Sequence, residues 1–236
     1  MILTADFHTH ILPGIDDGSQ SLEDSIKMIY KEQADAVGTI LLTPHFHPQK
    51  MYPDAFLVRR QEAMEQLLQA LPKDINISQF ILGAEVSFCS GMSKWEELDL
   101  LTLGKTKYIL IEMPFYKWSD STFSELTQMH NERGLTPILA HIERYLPSIS
   151  ANRFINRLSA LPVLLQCNCE FLTDKHTQRL ALKLIKARKV HLLGSDCHSP
   201  NWRPPNIEQA RNVLLHNLDN ESLSFLEKSE NSILQW

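Results

Sequence analysis

The sequence lacks any run close to the roughly 20 consecutive apolar residues that a membrane-spanning helix requires, so no membrane insertion is predicted. It also lacks Gly/Ser-rich linkers, low-complexity tracts and fixed-period repeats, and residues 1–236 are predicted to form one domain. A secretory signal would begin with a basic region and a long apolar run. The N-terminal segment has neither, so the expected location is the cytoplasm.

Basic residues are not in excess, because 23 Lys and Arg face 28 Asp and Glu, for a formal net charge of −5. Proteins that bind nucleic acid usually carry a basic stripe, so nucleic acid is not a predicted partner. Cysteine is scarce too. The four cysteines are too few for a disulfide framework in a chain of 236 residues, whereas a 43% apolar content is ample for a core.

Short apolar runs alternate with helical patterns along the chain. Seven runs are predicted as strands, most of them buried on both faces as in a parallel sheet: Ile2–His8, Thr39–His45, Ile77–Glu85, Lys107–Glu112, Thr136–His141, Pro162–Asn168 and Val190–Asp196. Helices are predicted between them, from Ser21 to a stop at Gly38 and then over Asp54–Ala70, Ser121–Arg133, Ile149–Ala160, Asp174–Arg188 and Ile207–Leu215. This alternation predicts an α/β fold with a parallel sheet, either a barrel or an open sheet.

Each predicted strand ends at a side chain of the kind that binds metal ions. The carboxyl ends of parallel strands are where α/β folds place their sites. Burying such polar groups separately would be costly, and shared metal ions remove that cost. The candidate ligands are His8, His10, Asp17, His45, Glu85, Glu112, His141, Asp196 and His198, with Asn168 at the remaining strand end.

Nine imidazole and carboxylate ligands exceed the three or four that one zinc ion takes, and they suit two or three ions. Nitrogen and oxygen ligation without thiolate fits manganese, iron or zinc. With Arg144 beside the site as a planar fork for phosphate oxygens, the pattern indicates phosphoester hydrolysis by a metal-held hydroxide. Asp16 is an alternative ligand to Asp17, and either Asp16 or His47 is a candidate proton donor to the leaving group.

The segment GSDCHSPNWR permits a second interpretation. Cys197 and Arg203 have the C-x5-R spacing of cysteine-dependent phosphatases. That chemistry needs backbone N–H groups around the phosphate, but Pro200 has none and Trp202 is bulky for a tight loop. The spacing of Asp196 and His198 favours a metal site instead, with Cys197 as a small buried apolar residue.

In order along the chain, H-x-H, T-P-H, G-x-E, H-x-E-R and S-D-x-H resemble the PHP (polymerase and histidinol phosphatase) superfamily of trinuclear metal hydrolases. The longer segments HTHILPGIDDG, TPHFHPQKMYP, HIERY and SDCHSPNWRPP are similar to the bacterial manganese-dependent tyrosine-protein phosphatases of the CpsB/CapC type. The resemblance covers nearly the whole chain, from about residue 3 to residue 234.

The resemblance implies a distorted (β/α)7 TIM-like barrel and a phosphotyrosine protein as substrate, namely a bacterial tyrosine kinase of capsule or exopolysaccharide synthesis. A small molecule such as histidinol phosphate is the alternative substrate. The implied site residues are His8, His10, Glu85 and Asp196 for one ion; Asp17, His45 and His198 for a second; Glu112 and His141, with Glu85 shared, for a third; and Arg144 and Arg203 for the phosphate. Manganese is the implied metal.

Overall fold

The structure is a computed structural model that describes residues 3–115, 118–146 and 151–235. The predicted start of the first strand at Ile2 and residues 149–150 of the fourth predicted helix lie outside these ranges. Within them, strands and helices alternate, and no helix has both the length and the apolar character needed to cross a bilayer.

The strands are β1 (Ala5–Thr9), β2 (Thr39–Leu42), β3 (His45–Phe46), β4 (Gln79–Leu82), β5 (Glu85–Ser87), β6 (Tyr108–Glu112), β7 (Thr136–Leu139), β8 (Leu164–Asn168) and β9 (Leu192–Gly194). The α-helices are α1 (Leu22–Ala34), α2 (Pro53–Ala70), α3 (Asp120–Arg133), α4 (Ala151–Leu158), α5 (Cys169–Thr173), α6 (Gln178–Lys186), α7 (Ile207–Asn217) and α8 (Asn220–Leu234). Short 3-10 helices span Met92–Lys94, Glu96–Leu101 and Ile142–Tyr145.

Every strand pairing in the described residues is parallel. One sheet has the order β1-β2-β4, and the other has the order β3-β5-β6-β7-β8-β9. The first and last strands also meet, because Asp196 N donates to His8 O at 2.8 Å and His10 N donates to Cys197 O at 3.0 Å. The predicted α/β class with parallel strands is confirmed.

The second and third predicted strands are each interrupted just before the residue that reaches the site. Pro44 has no N–H with which to continue the ladder between β2 and β3. Gly83, between β4 and β5, lies close to Leu103, because a Cβ there would be 2.6 Å from the end of the Leu103 side chain. Beyond these breaks, His45 and Glu85 face each other directly in the β3–β5 pairing.

The helix predictions are confirmed for α2, α3 and α7 to within two residues at each end. Helix α1 begins as predicted, with Ser21 Oγ accepting from Asp24 N at 3.1 Å, but it ends at Ala34 rather than near Gly38. The turn that follows places Ala36 at a positive φ of 57°, which a helix cannot continue through. Helix α6 is shorter than predicted, and α5 and α8 were not predicted.

Asp6 ties the two closing strands together beneath the site. Its Oδ1 accepts from His8 N at 3.0 Å and from Ser195 N at 2.9 Å, so one buried carboxyl holds both chain segments that carry candidate ligands. Burial raises the pKa of Asp6, and burial together with the neighbouring Asp6 carboxyl raises the pKa of Glu32. A carboxyl pair of this kind is stable in an apolar interior when the two groups share a proton.

Glu230 on α8 makes stability depend on pH. It is 3% exposed, and burial raises its pKa from the ordinary 4.5 to about 8. Between these values the folded chain holds a proton that the unfolded chain releases, so stability falls as the pH rises from 4.5 to 8. Glu230→Gln should therefore raise the free energy of unfolding at pH 8 by an amount on the order of 2 kcal/mol, with little gain at pH 4.5. Urea unfolding at both pH values measures this, and an equal change at both would contradict it.

Candidate metal centre

The structure brings all nine predicted ligands together at the carboxyl ends of the strands. His8 lies in β1, β3 and β5 begin with His45 and Glu85, and the others lie at the end of β6 or in loops that follow strands. His8, His10 and Glu85 have no exposed surface, whereas the side chain of Asp17 is 74% exposed. The group therefore forms a buried centre with an opening at Asp17.

A register shift in β1 lies next to His8, whose side chain points towards the metal centre. The pairing with β2 shifts register between Asp6 and Thr9, so the strand does not simply alternate its faces there. Phe7 can then pack among apolar strand residues while the next side chain, His8, reaches Glu85. Gly194 makes room for this turn, because a Cβ on it would lie 2.5 Å from His8 Cβ.

Glu85 is the middle of the centre. Its Oε2 lies 3.1 Å from His8 Nε2, 3.3 Å from His10 Nε2 and 3.0 Å from His45 Nδ1. Its Oε1 lies 2.8 Å from His141 Nε2. Oε2 is buried without a hydrogen bond of good geometry, and the Nε2 atoms of His8 and His10 are only 3.1 Å apart. Lone pairs converging in this way are what a divalent cation satisfies, so these residues fit a metal site.

Most of the imidazoles are oriented by a partner on the ring nitrogen that faces away from Glu85. Such partners fix the tautomer and direct the other nitrogen at the metal. The four pairs are His10 Nδ1 with Asp16 Oδ2 at 2.7 Å, His198 Nδ1 with the Asp196 carbonyl at 2.9 Å, His141 Nδ1 with Tyr145 Oη at 3.3 Å, and His8 Nδ1 with Gln166 Oε1 at 3.4 Å.

The candidate ligand atoms fall into three overlapping groups within 4.8 Å: His8, His10 and Glu85; His10, Asp17, His45 and His198; and His45, Glu85 and Glu112. The first two contain most of the sets implied by the resemblance. In the third, His45 stands where His141 was expected, while His141 Nε2 lies 2.8 Å from Glu85 and 3.8 Å from Glu112. The assignment of each residue to one ion stays a prediction.

Carboxylates are crowded together at the centre. Burial alone would raise the pKa of Glu85, but His8 and His45 hold it well below its usual range. Asp196 behaves in the same way, because His8 and His10 outweigh its burial. Burial and repulsion from Glu85 raise the pKa of Glu112 to about 7. Carboxylates crowded in this way favour a divalent cation, which would remove their mutual repulsion.

Asp196 connects the histidines to both arginines that were predicted to bind phosphate. Its Oδ1 lies 3.6 Å from His8 and 3.4 Å from His10. Its Oδ2 accepts from Arg144 at 2.5 Å and from Arg203. Asp196 and Arg203 also have positive φ angles of 52° and 59°, which non-glycine residues adopt only where the surroundings impose them. The two guanidinium groups are therefore held at one edge of the centre.

The interpretation of Cys197 as a phosphatase nucleophile is not supported. Its side chain is fully buried, and burial raises the pKa of the thiol well above its usual value. Reactive cysteines need a lowered pKa and access to the substrate. The expectation that Cys197 is a small buried apolar residue is confirmed, since it packs within the main core.

Cys197→Ala should leave phosphatase activity within about threefold of the wild-type value, because the thiol takes no part in the chemistry. A catalytic cysteine would instead lose activity by orders of magnitude on this change. Steady-state kinetics on a phosphotyrosine peptide measure the difference. Circular dichroism of the variant establishes that the small cavity left in the core does not unfold it. A loss above about a hundredfold in the folded variant would restore the cysteine mechanism.

Three partners of the ligands were missed or misjudged from the sequence. Gln166 Oε1 accepts from His141 N at 2.7 Å, and Tyr145 approaches the same histidine. Asp16, considered as a ligand or proton donor, instead accepts from His45 N at 2.9 Å and pairs with His10, which holds its pKa below the usual range. Alternation along β8 could have indicated Gln166, since it shares a face with Asn168.

Comparison with known proteins identifies relatives across the whole chain. The family described as "Capsular polysaccharide synthesis, CpsB/CapC" matches residues 4–234. The tyrosine-protein phosphatase YwqE of Bacillus subtilis is 29% identical over 216 residues, which are 89% of this chain and 83% of that protein. The tyrosine-protein phosphatase CpsB of Streptococcus agalactiae is 27% identical, and the alignment covers 98% of this chain and 98% of that protein.

A search of solved structures also finds tyrosine phosphatases, with a similar fold. A chain from the crystal structures of YwqE from Bacillus subtilis and CpsB from Streptococcus pneumoniae, described as unique metal-dependent tyrosine phosphatases, superposes with a TM-score of 0.81. It is 27% identical in sequence, and the match covers 98% of this chain and 94% of that one. The similarity therefore extends over nearly the whole chain.

Proposed function

The chain belongs to the CpsB/CapC family of capsular polysaccharide synthesis proteins, and on that premise we propose that it is a metal-dependent protein-tyrosine phosphatase. Its relatives are named tyrosine-protein phosphatases, and the superposed structures are described as metal-dependent. The observation that carries the proposal is Glu85, a fully buried carboxylate surrounded by four imidazoles within 3.3 Å. Such a set fits divalent metal ions and has no other evident purpose in the fold.

The residues that would hold the ions are the nine candidate ligands, with Glu85 shared between groups: His8, His10, Asp17, His45, Glu85, Glu112, His141, Asp196 and His198. Bound ions would supply Lewis acidity, which lowers the pKa of water and offsets negative charge that develops on the phosphoryl group. Nine ligands suit two or three ions. Their nitrogen and oxygen set without thiolate fits manganese, iron or zinc, and the resemblance to manganese-dependent phosphatases puts manganese first.

The arginines would bind the phosphate, and the oriented imidazoles would hold the metal ions in a fixed arrangement. Arg144 and Arg203 lie at the same edge, where their planar forks can bind the phosphate oxygens and orient the phosphorus. Asp16 and Tyr145 keep the imidazoles of His10 and His141 in a fixed tautomer, so the site is preorganised before substrate arrives.

The proposal includes a distorted (β/α)7 barrel of the PHP type for the fold and a tyrosine kinase of capsule or exopolysaccharide synthesis for the substrate. The backbone hydrogen bonds between the ends of β1 and β9 support the barrel, because they join the first and last strands. The family description, which names capsular polysaccharide synthesis, supports the substrate.

The proposal is tested by treating the protein with EDTA and comparing substrates. Activity on a phosphotyrosine peptide should fall to background after chelation and return when manganese is added, because the carboxylates and imidazoles alone supply no Lewis acid. Elemental analysis should find two or three ions per active chain. Kinetics on histidinol phosphate and on a 5′-phosphorylated oligonucleotide, measured alongside, should give much lower kcat/KM values than the peptide.

Full activity after complete removal of metal would refute the metal mechanism. Preference for histidinol phosphate would retain the mechanism but reassign the substrate to a small molecule. Preference for the oligonucleotide is the outcome that the net charge of −5 disfavours most, because nucleic-acid ends would be repelled.

A further inference from the structure

A cavity of about 570 Å³ opens beside the metal centre, on the side of Asp17, His45 and Glu112. Its opposite wall is formed by the turn after β3 and the first turns of α2, which contribute Lys50 and Arg59. The arginines at Asp196 are not among the residues described as lining this cavity. The space is thus adjacent to the proposed ligands, and neither of the two arginines that would hold the phosphate lines it.

Lys50 and Arg59 are positioned by the segments that carry site residues. The N–H of Lys50 donates to the carbonyl of His47 at 2.9 Å, so the turn closes onto the residue whose ring stacks on His45. The Arg59 guanidinium lies 3.5 Å from the carbonyl of Ile15, in the loop that leads into Asp16 and Asp17. The Arg59 guanidinium is therefore tied to the loop that carries Asp17, whereas Lys50 is an exposed side chain on the turn beside His47.

Among the residues that the structure describes, no carboxylate forms an ion pair with Lys50 or Arg59. The acidic groups in the same cavity are already engaged: Asp16 is bound to His10, and Asp17 and Glu112 are proposed ligands. With their charge taken up by metal ions, the charge left on the cavity wall is positive.

From this arrangement we propose that the cavity binds an acidic side chain that flanks the phosphotyrosine of the substrate, and that Lys50 and Arg59 select for it. The proposal rests on the proposed function and specifies its substrate class as acidic phosphotyrosine peptides. Met51 and Phe56, which also line the cavity, would contact the methylene groups of a glutamate while its carboxylate reaches the cations. Opposite charge at the rim of a site contributes mainly to selection and capture of the partner.

The test uses two phosphotyrosine peptides that differ only in having glutamate or glutamine on both sides of the phosphotyrosine. Wild-type protein, loaded with manganese, should show a KM about three- to tenfold lower for the glutamate peptide, which is the range for two exposed ion pairs. The Lys50→Met/Arg59→Met double variant should lose this difference by raising the KM of the glutamate peptide alone. High salt should reduce the wild-type preference as well, because exposed charges are screened.

Lys183→Met serves as the matched control, since it removes an exposed cation from α6 and should keep the preference. The double variant should lose less activity on para-nitrophenyl phosphate, which has no flanking residues, than on the glutamate peptide, whereas Lys183→Met should hydrolyse both as wild-type protein does. Equal KM values for the two peptides in wild-type protein, or a preference that survives in the double variant, would overturn the inference while leaving the proposed function intact. Failure to hydrolyse either peptide would refute the proposed function and this inference with it.

Discussion

Replacing Glu85 by glutamine is expected to lower kcat/KM on a phosphotyrosine peptide by about a hundredfold or more and to remove at least one metal ion per chain. Glutamine keeps the shape of the side chain but removes its charge. Its amide would then place either a neutral oxygen or an N–H₂ group where His8, His10 and His45 now converge on a carboxylate oxygen. Elemental analysis and steady-state kinetics on the same preparation measure both effects.

Glu230→Gln is the matched control for Glu85→Gln. It makes the same chemical change at another carboxyl that is almost fully buried, but Glu230 lies on α8 and bonds to the backbone of Leu3 and Thr4 rather than to a histidine. Its activity and metal content should equal those of wild-type protein at pH 7. Wild-type activity and metal content in Glu85→Gln would show that this carboxylate is not a ligand, and the centre would have to be built from the other residues.

The positions of the ligands could be predicted from the sequence because the information is local. An apolar run that ends in His, Asp or Glu places that residue at the carboxyl end of a strand, whichever strands become neighbours. Thus His45, Glu85 and Glu112 were identified without knowledge of their pairing, and the structure places them within one group. The same local pattern predicted the α/β class.

The orientation of His8 could not be predicted, because it depends on contacts between distant segments. The register shift that turns His8 inward requires β2 beside β1, and the space for it requires Gly194 from the other end of the chain. Gln166 reaches the backbone of His141 because β7 and β8 pair. The hydrophobic periodicity of one segment does not indicate its contacts with another segment.

Helix α8 was not predicted from the sequence, for a different reason. Its start has an ordinary capping residue, since Asp219 Oδ1 accepts from Ser222 N at 2.8 Å. Its apolar residues are spread along polar sequence, however, and only Leu226 and Ile233 among them are fully buried. Glu230 of this helix bonds to the backbone of Leu3 and Thr4, a tertiary contact that the local pattern does not indicate.

The second large effect is expected from the two arginines at Asp196. Arg144→Ala and Arg203→Ala should each lower kcat/KM by about ten- to a hundredfold, which is the range for loss of a charge-assisted bond to an anion. The loss in the double variant should be smaller than the product of the two single losses, because both guanidinium groups share Asp196 Oδ2 and cooperate at one edge. Inhibition by inorganic phosphate should weaken in parallel.

The metal content of the arginine variants shows whether Arg144 and Arg203 bind the phosphate or only hold the proposed metal ligand Asp196 in place. If the arginines bind phosphate, each variant keeps the wild-type number of ions, because Asp196 still accepts from Asn168 at 2.8 Å and still faces the histidines. If they act only by holding Asp196, ions are lost and added manganese restores activity. Arg203→Lys refines the distinction, since it keeps the charge but not the planar fork and should recover only part of the phosphate affinity. Arg188→Ala, which removes an exposed arginine paired with Glu221, should change neither quantity.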